Sequence, residues 1–182
     1  MNDDKHLGHK TLIAGEVHSG KTIYTLAVLR GLRGKDPSSH AILDLAPEET
    51  RGVGGKIPLT AEEKGEILYF SPLILPPRMM GKNEAEVRRL AGENRRRIEP
   101  ILAQIEKGAP AFLLVNDITL YLQDGKADYL LGCIEAIPTV IMNGYYGRYF
   151  GESPFSQRER YEMEALMSRC ERVIFLPPSS PT

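Results

Sequence analysis

The feature that most constrains the fold is the stretch at residues 15–22, GEVHSGKT, which fits the pattern GxxxxGK[ST]. Residues 10–14 before it predict a short buried strand, and residues 19–32 predict an amphipathic helix. Strand, glycine-rich turn and helix, in that order, are the structural setting that this pattern requires. We call residues 15–22 the phosphate loop, because this setting is typical of polyphosphate binding.

The chemistry of the phosphate loop follows from its backbone and from two side chains. Glycine permits torsions and close approaches that a Cβ atom forbids, so successive N–H groups of the loop can point at a polyphosphate. The positive end of the following helix also favours an anion there. Lys21 is the candidate for contact with the β- and γ-phosphates and for catalysis, and Thr22 is the candidate ligand of Mg²⁺. The sequence thus predicts ATP (or GTP) and Mg²⁺ at Gly15, Glu16, Val17, His18, Ser19, Gly20, Lys21 and Thr22. The alternative is an ordinary strand-to-helix turn with a solvated lysine.

The composition restricts the number of domains, the kinds of partner and the cellular compartment that we expect. The 182 residues, 42% of them hydrophobic and 26% charged, predict one globular domain over 1–182. A net charge of −1 gives no reason to expect a nucleic-acid or membrane partner. Two cysteines make a disulfide framework improbable, and there is neither a signal-peptide core nor a run of 18 apolar residues. We therefore expect a cytoplasmic protein, with homo-oligomerisation left open.

Alternating apolar runs and helical patterns predict an α/β fold, with a mainly parallel sheet flanked by helices in three layers. Asn83 with Glu86, and Ser156 with Glu159, predict helix caps, and Pro100 predicts a kink or a division of its helix. We predict a turn at residues 36–39 and an irregular loop at residues 46–66. Residues 46–82 as a whole are predicted to form a loop or lid insertion. The predicted strands are 10–14, 40–45, 67–70, 111–115, 139–142 and 172–176, and the predicted helices are 19–32, 83–107, 127–136 and 156–169.

Phosphoryl transfer also needs a carboxylate at the end of a neighbouring strand. Here the apolar run 112–115 is followed by Asn116 at the usual acidic position and by Asp117 one place later. A shift of one residue turns a strand side chain to the opposite face, unless the strand ends at Val115. Asp117 is thus a candidate for catalysis and the metal shell, and the alternative is a helix cap for the segment that follows.

Other polar residues are further candidates for the site. Asp44, near the end of the second predicted strand, or Glu48 is a candidate general base or metal contact, and a polar strand end is the alternative. Arg78 and Lys82, flanked by proline and glycine, are candidates for a lid that contacts a transferring phosphate. Arg148 lies in a loop with three glycines and four aromatic residues, which suits either a planar ligand or a filled surface corner.

With these motifs in hand, the chain resembles the P-loop NTPase superfamily of RecA-like arrangement and, distantly, the adenosylcobinamide kinase/guanylyltransferase family. The phosphate loop is similar to that family's GGxRSGKS-like loop, and residues 115–122 (VNDITLYL) are similar to its VDCLTLWL strand. Asn143, Gly147, the predicted helix after Ser156 and the last strand follow its layout. The chain departs from the family in having no histidine after His40 and no tryptophan, and its strand-end acid corresponds to Asn116.

Two functions fit these features. The first is an NTPase or small-molecule kinase that uses ATP (or GTP) with Mg²⁺ and acts on an unidentified small-molecule acceptor. The second is a nucleotide-dependent regulatory module with little turnover, in which residues 46–82 move to engage a partner. The shifted acid at 116/117 favours the second, since a switch tolerates slow hydrolysis.

Overall fold

Six strands form one sheet in the computed structural model of the protein, which describes residues 3–32, 39–48 and 55–178. In chain order they are β1 (Lys10–Gly15), β2 (His40–Asp44), β3 (Leu68–Phe70), β4 (Phe112–Asn116), β5 (Thr139–Tyr145) and β6 (Arg172–Leu176). Their spatial order is β3-β2-β4-β5-β1-β6, and every neighbouring pair is parallel. The carboxyl ends of β1, β5, β4 and β2 therefore lie side by side.

Seven α-helices and a 3₁₀ turn (Asp3–His6) are found in the described ranges. Among these ranges, no helix is both long and apolar enough to cross a membrane. The helices are α1 (Lys21–Leu32), α2 (Ala61–Glu66), α3 (Pro77–Met80), α4 (Glu84–Gly108), α5 (Thr119–Leu122), α6 (Ala127–Cys133) and α7 (Pro154–Met167).

Helices cover both faces of the sheet, as the alternation of side chains along buried strands requires. On one face Leu113 and Val115 of β4 pack in a cluster with Ile98 and Leu102 of α4. On the other face Leu114 packs in a second cluster that contains the buried residues of α1. The predicted three-layer α/β architecture is confirmed, and every neighbouring strand pair in it is parallel.

Two features of α4 test the sequence reasoning. Its predicted cap is confirmed, because the Asn83 Oδ1 atom accepts a hydrogen bond from the Glu86 N–H group at 2.9 Å. Pro100 does not divide the helix, which continues unbroken over 25 residues. Buried Ile98, Leu102 and Ile105 hold both sides of the proline against the sheet.

Three expectations were wrong in detail. Residues 61–66, expected within an irregular loop, form α2, whose capping box joins Thr60 and Glu63. The cap of α7 is Ser153 rather than Ser156, because the Ser153 hydroxyl accepts from the Ser156 N–H group and the helix begins at Pro154. Helix α6 ends at Cys133, earlier than predicted. Residues 33–38, with most of the predicted turn, and 49–54 of the predicted loop lie outside the described residues.

Candidate functional site

The phosphate loop joins the carboxyl end of β1 to the first turn of α1. A Cβ atom on Gly15 would lie 2.7 Å from the backbone oxygen of Leu176 and 2.8 Å from the Ser19 Oγ atom. Gly20 and His18 both have left-handed backbones, with φ of 78° and 59°. The loop therefore curls tightly over the strand end, and the unpaired N–H groups of the first turn of α1 open beside it.

Lys21 folds back into the loop that precedes it. Its ammonium group donates to the carbonyl oxygens of Gly15 at 3.1 Å and Glu16 at 2.5 Å, and to the Ser19 Oγ atom at 3.2 Å. Burial lowers the pKa of Lys21, against the raising effect of the charges on Asp117 and Glu16. The loop thus holds a partly desolvated cation at its centre, an arrangement that suits an anion.

A chain of hydrogen bonds connects the carboxyl ends of β5, β4 and β2 with α1, and we call it the edge network. The Asn116 Oδ1 atom accepts from Thr22 Oγ1 at 3.4 Å and from Asn143 Nδ2 at 2.9 Å. Asn143 Nδ2 also donates to Thr25 Oγ1 at 3.0 Å, and Asn116 Nδ2 donates to Asp44 Oδ1 at 2.8 Å. Asn116, at the position that is usually acidic in phosphoryl-transfer proteins, therefore links the Thr22 hydroxyl to Asp44 through its amide.

Asp44 is fully buried behind this network, and it is not among the residues that line the cavity described below. Its Oδ2 atom accepts from the Ile57 N–H group and from the Tyr69 hydroxyl, both at 2.8 Å. Burial and the charge of Asp44 raise the pKa of Tyr69. Glu48, the alternative to Asp44, is exposed four residues after the end of β2. The catalytic role predicted for Asp44 stays a prediction.

Asp117 has a left-handed backbone, with φ of 57°. Its N–H group donates to Asn143 Oδ1 at 2.9 Å, and its Oδ1 atom accepts from the Thr119 hydroxyl at 2.6 Å. Burial raises the pKa of the Asp117 carboxyl to about 6, against the lowering effects of the Thr119 hydrogen bond and the Lys21 charge. Because β4 ends at Asn116, Asp117 lines the same cavity as Lys21 instead of facing away from it.

A cavity of about 650 Å³ opens over the phosphate loop. Residues 17–23 form one wall of the cavity. We call the part lined by Asn116 and Asp117 at the end of β4, and by Asn143 of β5, the floor of the cavity. A second group of lining residues, which we call the far wall, comes from α3, α5, α7, the residues that flank α3 and α5, and the loop after β5. The far wall consists of Pro76, Pro77, Arg78, Met79, Leu120, Gln123, Tyr149, Phe150 and Glu159.

Arg78 lies in the far wall, where its guanidinium group is held by two hydrogen bonds to the Glu159 carboxylate, at 2.7 and 3.0 Å. It also lies over the rings of Phe150 and Phe155, with its Cζ atom 4.6 and 4.9 Å from the ring centroids. The other lid candidate, Lys82, is exposed and is not among the cavity-lining residues. The predicted contact of both with a transferring phosphate stays a prediction.

Arg148 meets the phosphate loop through its backbone. Its N–H group donates to the Glu16 Oε1 atom at 2.5 Å, while its side chain is exposed. A Cβ atom on the preceding Gly147 would lie 2.1 Å from the Glu16 carboxyl carbon. Glycine at 147 therefore lets Glu16 tie the phosphate loop to the loop that carries Tyr149 and Phe150.

Sequence reasoning missed Gln123 and Glu159. The two side chains meet at 2.8 Å although they are 36 residues apart. Neither lies in a local motif that signals this contact, and Glu159 instead suggested a helix cap. Their placement depends on the packing of α5 against α7.

An all-parallel sheet between helical layers, with a GxxxxGK[ST] loop on an interior strand, is the α/β architecture of P-loop NTPases. The predicted fold class is thereby confirmed.

The comparisons with known proteins add only distant likenesses. No family model matches the chain, and no curated protein is significantly similar to it in sequence. The Pif1 helicase from Candida albicans is 13% identical with a TM-score of 0.40, over 97% of this chain and 39% of that chain. The Pyrococcus furiosus Hef helicase domain is 14% identical with a TM-score of 0.46, over 98% and 37%. The chain spans less than two fifths of each helicase chain. The resemblance to adenosylcobinamide kinases stays a prediction.

Proposed function

We propose that the chain binds ATP or GTP at the phosphate loop and, with Mg²⁺, hydrolyses it or transfers its γ-phosphoryl group to a small molecule. The observation that carries this proposal is that Lys21 and Asp117 line one cavity beside the first turn of α1. A half-buried cation, the N–H groups at the start of a helix and a carboxylate are the parts that phosphoryl transfer uses.

Lys21 and the loop backbone supply the phosphate cradle. The Lys21 ammonium group exchanges its bonds to the loop oxygens for the more negative oxygens of a β- or γ-phosphate. Gly15 and Gly20 let the backbone approach the phosphates closely. The cradle therefore stabilises charge on the phosphoryl group that is transferred.

The donors beside the cradle fit Mg²⁺, which takes one or two carboxylates together with hydroxyl, phosphate and water oxygens. Thr22 offers its hydroxyl and Asp117 its carboxylate, and both line the cavity. No cluster of three or more histidine, cysteine or acidic side chains able to hold a metal occurs in the described part of the chain. Such a cluster is not needed, because Mg²⁺ keeps several water ligands and is bound through one or two protein side chains together with phosphate oxygens.

In the alternative case, where Thr22 and phosphate oxygens would hold Mg²⁺ without Asp117, Asp117 is the candidate proton acceptor, since a metal-bound carboxylate is a poor base. A carboxyl with a pKa of about 6 is ionised at neutral pH yet basic enough to take a proton from an attacking hydroxyl or water. Asp44 acts as a positioning residue, since its carboxylate fixes the Asn116 amide that accepts from the Thr22 hydroxyl. In this scheme Asp44 orients the Mg²⁺ ligand without contacting the metal.

A turnover assay tests the catalytic part of the proposal. Wild-type protein with ATP or GTP and Mg²⁺ is expected to release phosphate, and Asp117→Asn is expected to reduce the rate by about 100-fold or more. The matched control is Asp128→Asn, which removes an exposed carboxylate on α6. Equal rates for Asp117→Asn and Asp128→Asn would remove Asp117 from the mechanism.

A regulatory module with little turnover is the second candidate, favoured by an amide rather than a carboxylate at the end of β4. In that case nucleotide binding persists, while phosphate release stays very slow and no acceptor accelerates it. The two functions are separated by measuring binding and turnover on the same preparation.

A further inference from the structure

The far wall contains a polar atom that has no partner. Gln123 is 4% exposed, and its Oε1 atom is buried with no hydrogen bond in the structure. Its Nε2 atom donates to the Glu159 Oε2 atom at 2.8 Å. Because a carboxylate oxygen paired with a guanidinium only accepts, the amide orientation is fixed and Oε1 is the atom left over. Buried amide oxygens are normally bonded, so this one calls for a donor from a ligand.

The charges of the far wall cancel each other. The Arg78 guanidinium is held by the Glu159 carboxylate through two bonds, and its NH2 group is also 3.4 Å from the Ser156 hydroxyl. Both side chains of the ion pair are largely buried, at 16% and 4% exposure. An anionic ligand would have to break this pair to gain a cation, so the wall favours an uncharged ligand.

The rest of the far wall is apolar or aromatic. Leu120, Met79, Phe150 and Tyr149 line the same cavity as Gln123. Such a surface suits a planar or apolar body with a polar group placed against the amide oxygen. Asp117 lines the same cavity as the far wall.

From this arrangement we infer that the far wall is the acceptor subsite, and that it takes an uncharged compound with at least two hydroxyl groups. One O–H group donates to Gln123 Oε1, and a second hydroxyl attacks the nucleotide. This inference rests on the proposed function, because it places the acceptor beside a nucleotide in the phosphate loop. In the reaction, the acceptor oxygen forms a bond to the γ-phosphorus. The bond from that phosphorus to the β–γ bridging oxygen breaks, and the nucleoside diphosphate leaves with the electron pair. The proton of this second hydroxyl is released to water.

The test measures ADP formation from ATP and Mg²⁺ with neutral probes and with anionic counterparts that keep the primary hydroxyl. The neutral probes are pyridoxine, uridine and guanosine, and the anionic probes are 4-pyridoxic acid and the 3′-monophosphates of the two nucleosides. At least one neutral probe is expected to raise the rate about fivefold or more, and its anionic counterpart is not. If no neutral probe accelerates the reaction, or the anionic counterpart does so equally, the inference is wrong.

Gln123→Met then tests the residue itself, with Gln157→Met on the exposed face of α7 as the matched control. The KM of the accelerating probe is expected to rise about tenfold in Gln123→Met, and to stay within about twofold of wild type in Gln157→Met. Equal KM values in the two variants would overturn the subsite.

The rise in melting temperature on adding ATP shows that each variant is folded and binds nucleotide. If ATP does not raise the melting temperature of the wild-type protein, the proposed function itself is refuted. A normal rise with no response to neutral probes refutes the acceptor subsite alone.

Discussion

Replacing Asp117 by asparagine removes a charge and changes little else. Asparagine adopts the left-handed backbone that Asp117 has, at φ of 57°. Its Oδ1 atom can still accept from the Thr119 hydroxyl, and its N–H group can still donate to Asn143. The comparison of Asp117→Asn with wild type therefore isolates the effect of the buried negative charge on stability.

The size of the effect follows from the pKa. Burial raises the pKa of Asp117 from 3.8 to about 6, and 2.2 pKa units correspond to about 3 kcal/mol. Because Asp117 is partly open to the cavity, solvent reduces this penalty, and we expect about 1–3 kcal/mol.

The sign follows from proton binding. Below the unfolded-state pKa the carboxyl is neutral in both states, so charge makes no difference. Between the unfolded-state pKa and about 6, the unfolded chain releases this proton while the folded wild-type protein keeps it, so wild-type stability falls as pH rises to about 6 and stays lower above it. Asp117→Asn avoids this loss, so it is expected to exceed wild type in stability by about 1–3 kcal/mol at about pH 8, and by little at about pH 4.

Urea unfolding at several pH values, without nucleotide or Mg²⁺, measures the difference. As a control, Asp117→Ala lacks the acceptor for Thr119 and places a Cβ-bearing residue without a polar side chain in the left-handed region, so it is expected to be less stable than Asp117→Asn throughout. If Asp117→Asn is no more stable than wild type at about pH 8, the argument that burial of the Asp117 carboxylate destabilises the folded protein is refuted.

Two further predictions concern the walls of the cavity. Arg78→Met is expected to lower the free energy of unfolding by about 3–5 kcal/mol, because it leaves the buried Glu159 carboxylate unpaired. Adding Glu159→Gln to Arg78→Met is expected to recover part of that lost stability, since the unpaired charge is then removed. Arg88→Ala, which breaks an exposed pair on α4, is expected to cost less than about 1 kcal/mol in the same denaturation assay, and equal losses would contradict the buried-pair argument. Gly15→Ala is expected to abolish the rise in melting temperature with ATP, since its Cβ atom would lie 2.7 Å from a backbone oxygen. Gly65→Ala in α2, where a Cβ atom meets nothing within 4 Å, is expected to keep that rise, and its loss there would show that the assay reports on general damage.

The parts of the fold that depend on local sequence were predictable. The phosphate loop and β1, α1 and β4 follow from short runs whose apolar periodicity and glycines leave few alternatives. The helix cap at Asn83 was also predictable, because it depends on residues only three positions apart. Helix α2 could also have been found, since Thr60 followed by Glu63 is a capping box within a polar stretch.

Features that depend on distant contacts were not predictable from one sequence. The left-handed backbone at Asp117 is stabilised by a hydrogen bond to Asn143, 26 residues away, and it turns a shifted acid into a residue of the site. Asp44 looked like a free strand-end acid, yet Ile57, Tyr69 and Asn116 all bond to it. Such contacts arise only when β2, β4 and β5 are brought together in the sheet.

Calorimetric titration of ATP with Mg²⁺ is the most direct test of nucleotide binding at the phosphate loop. Wild-type protein is expected to bind ATP, and Lys21→Ala is expected to bind it at least about tenfold more weakly, since it removes the cation at the centre of the loop. Lys107→Ala, which removes an exposed lysine from the last turn of α4, is expected to bind as wild type does. Undiminished ATP affinity in Lys21→Ala, or no binding by the wild-type protein, would contradict the account.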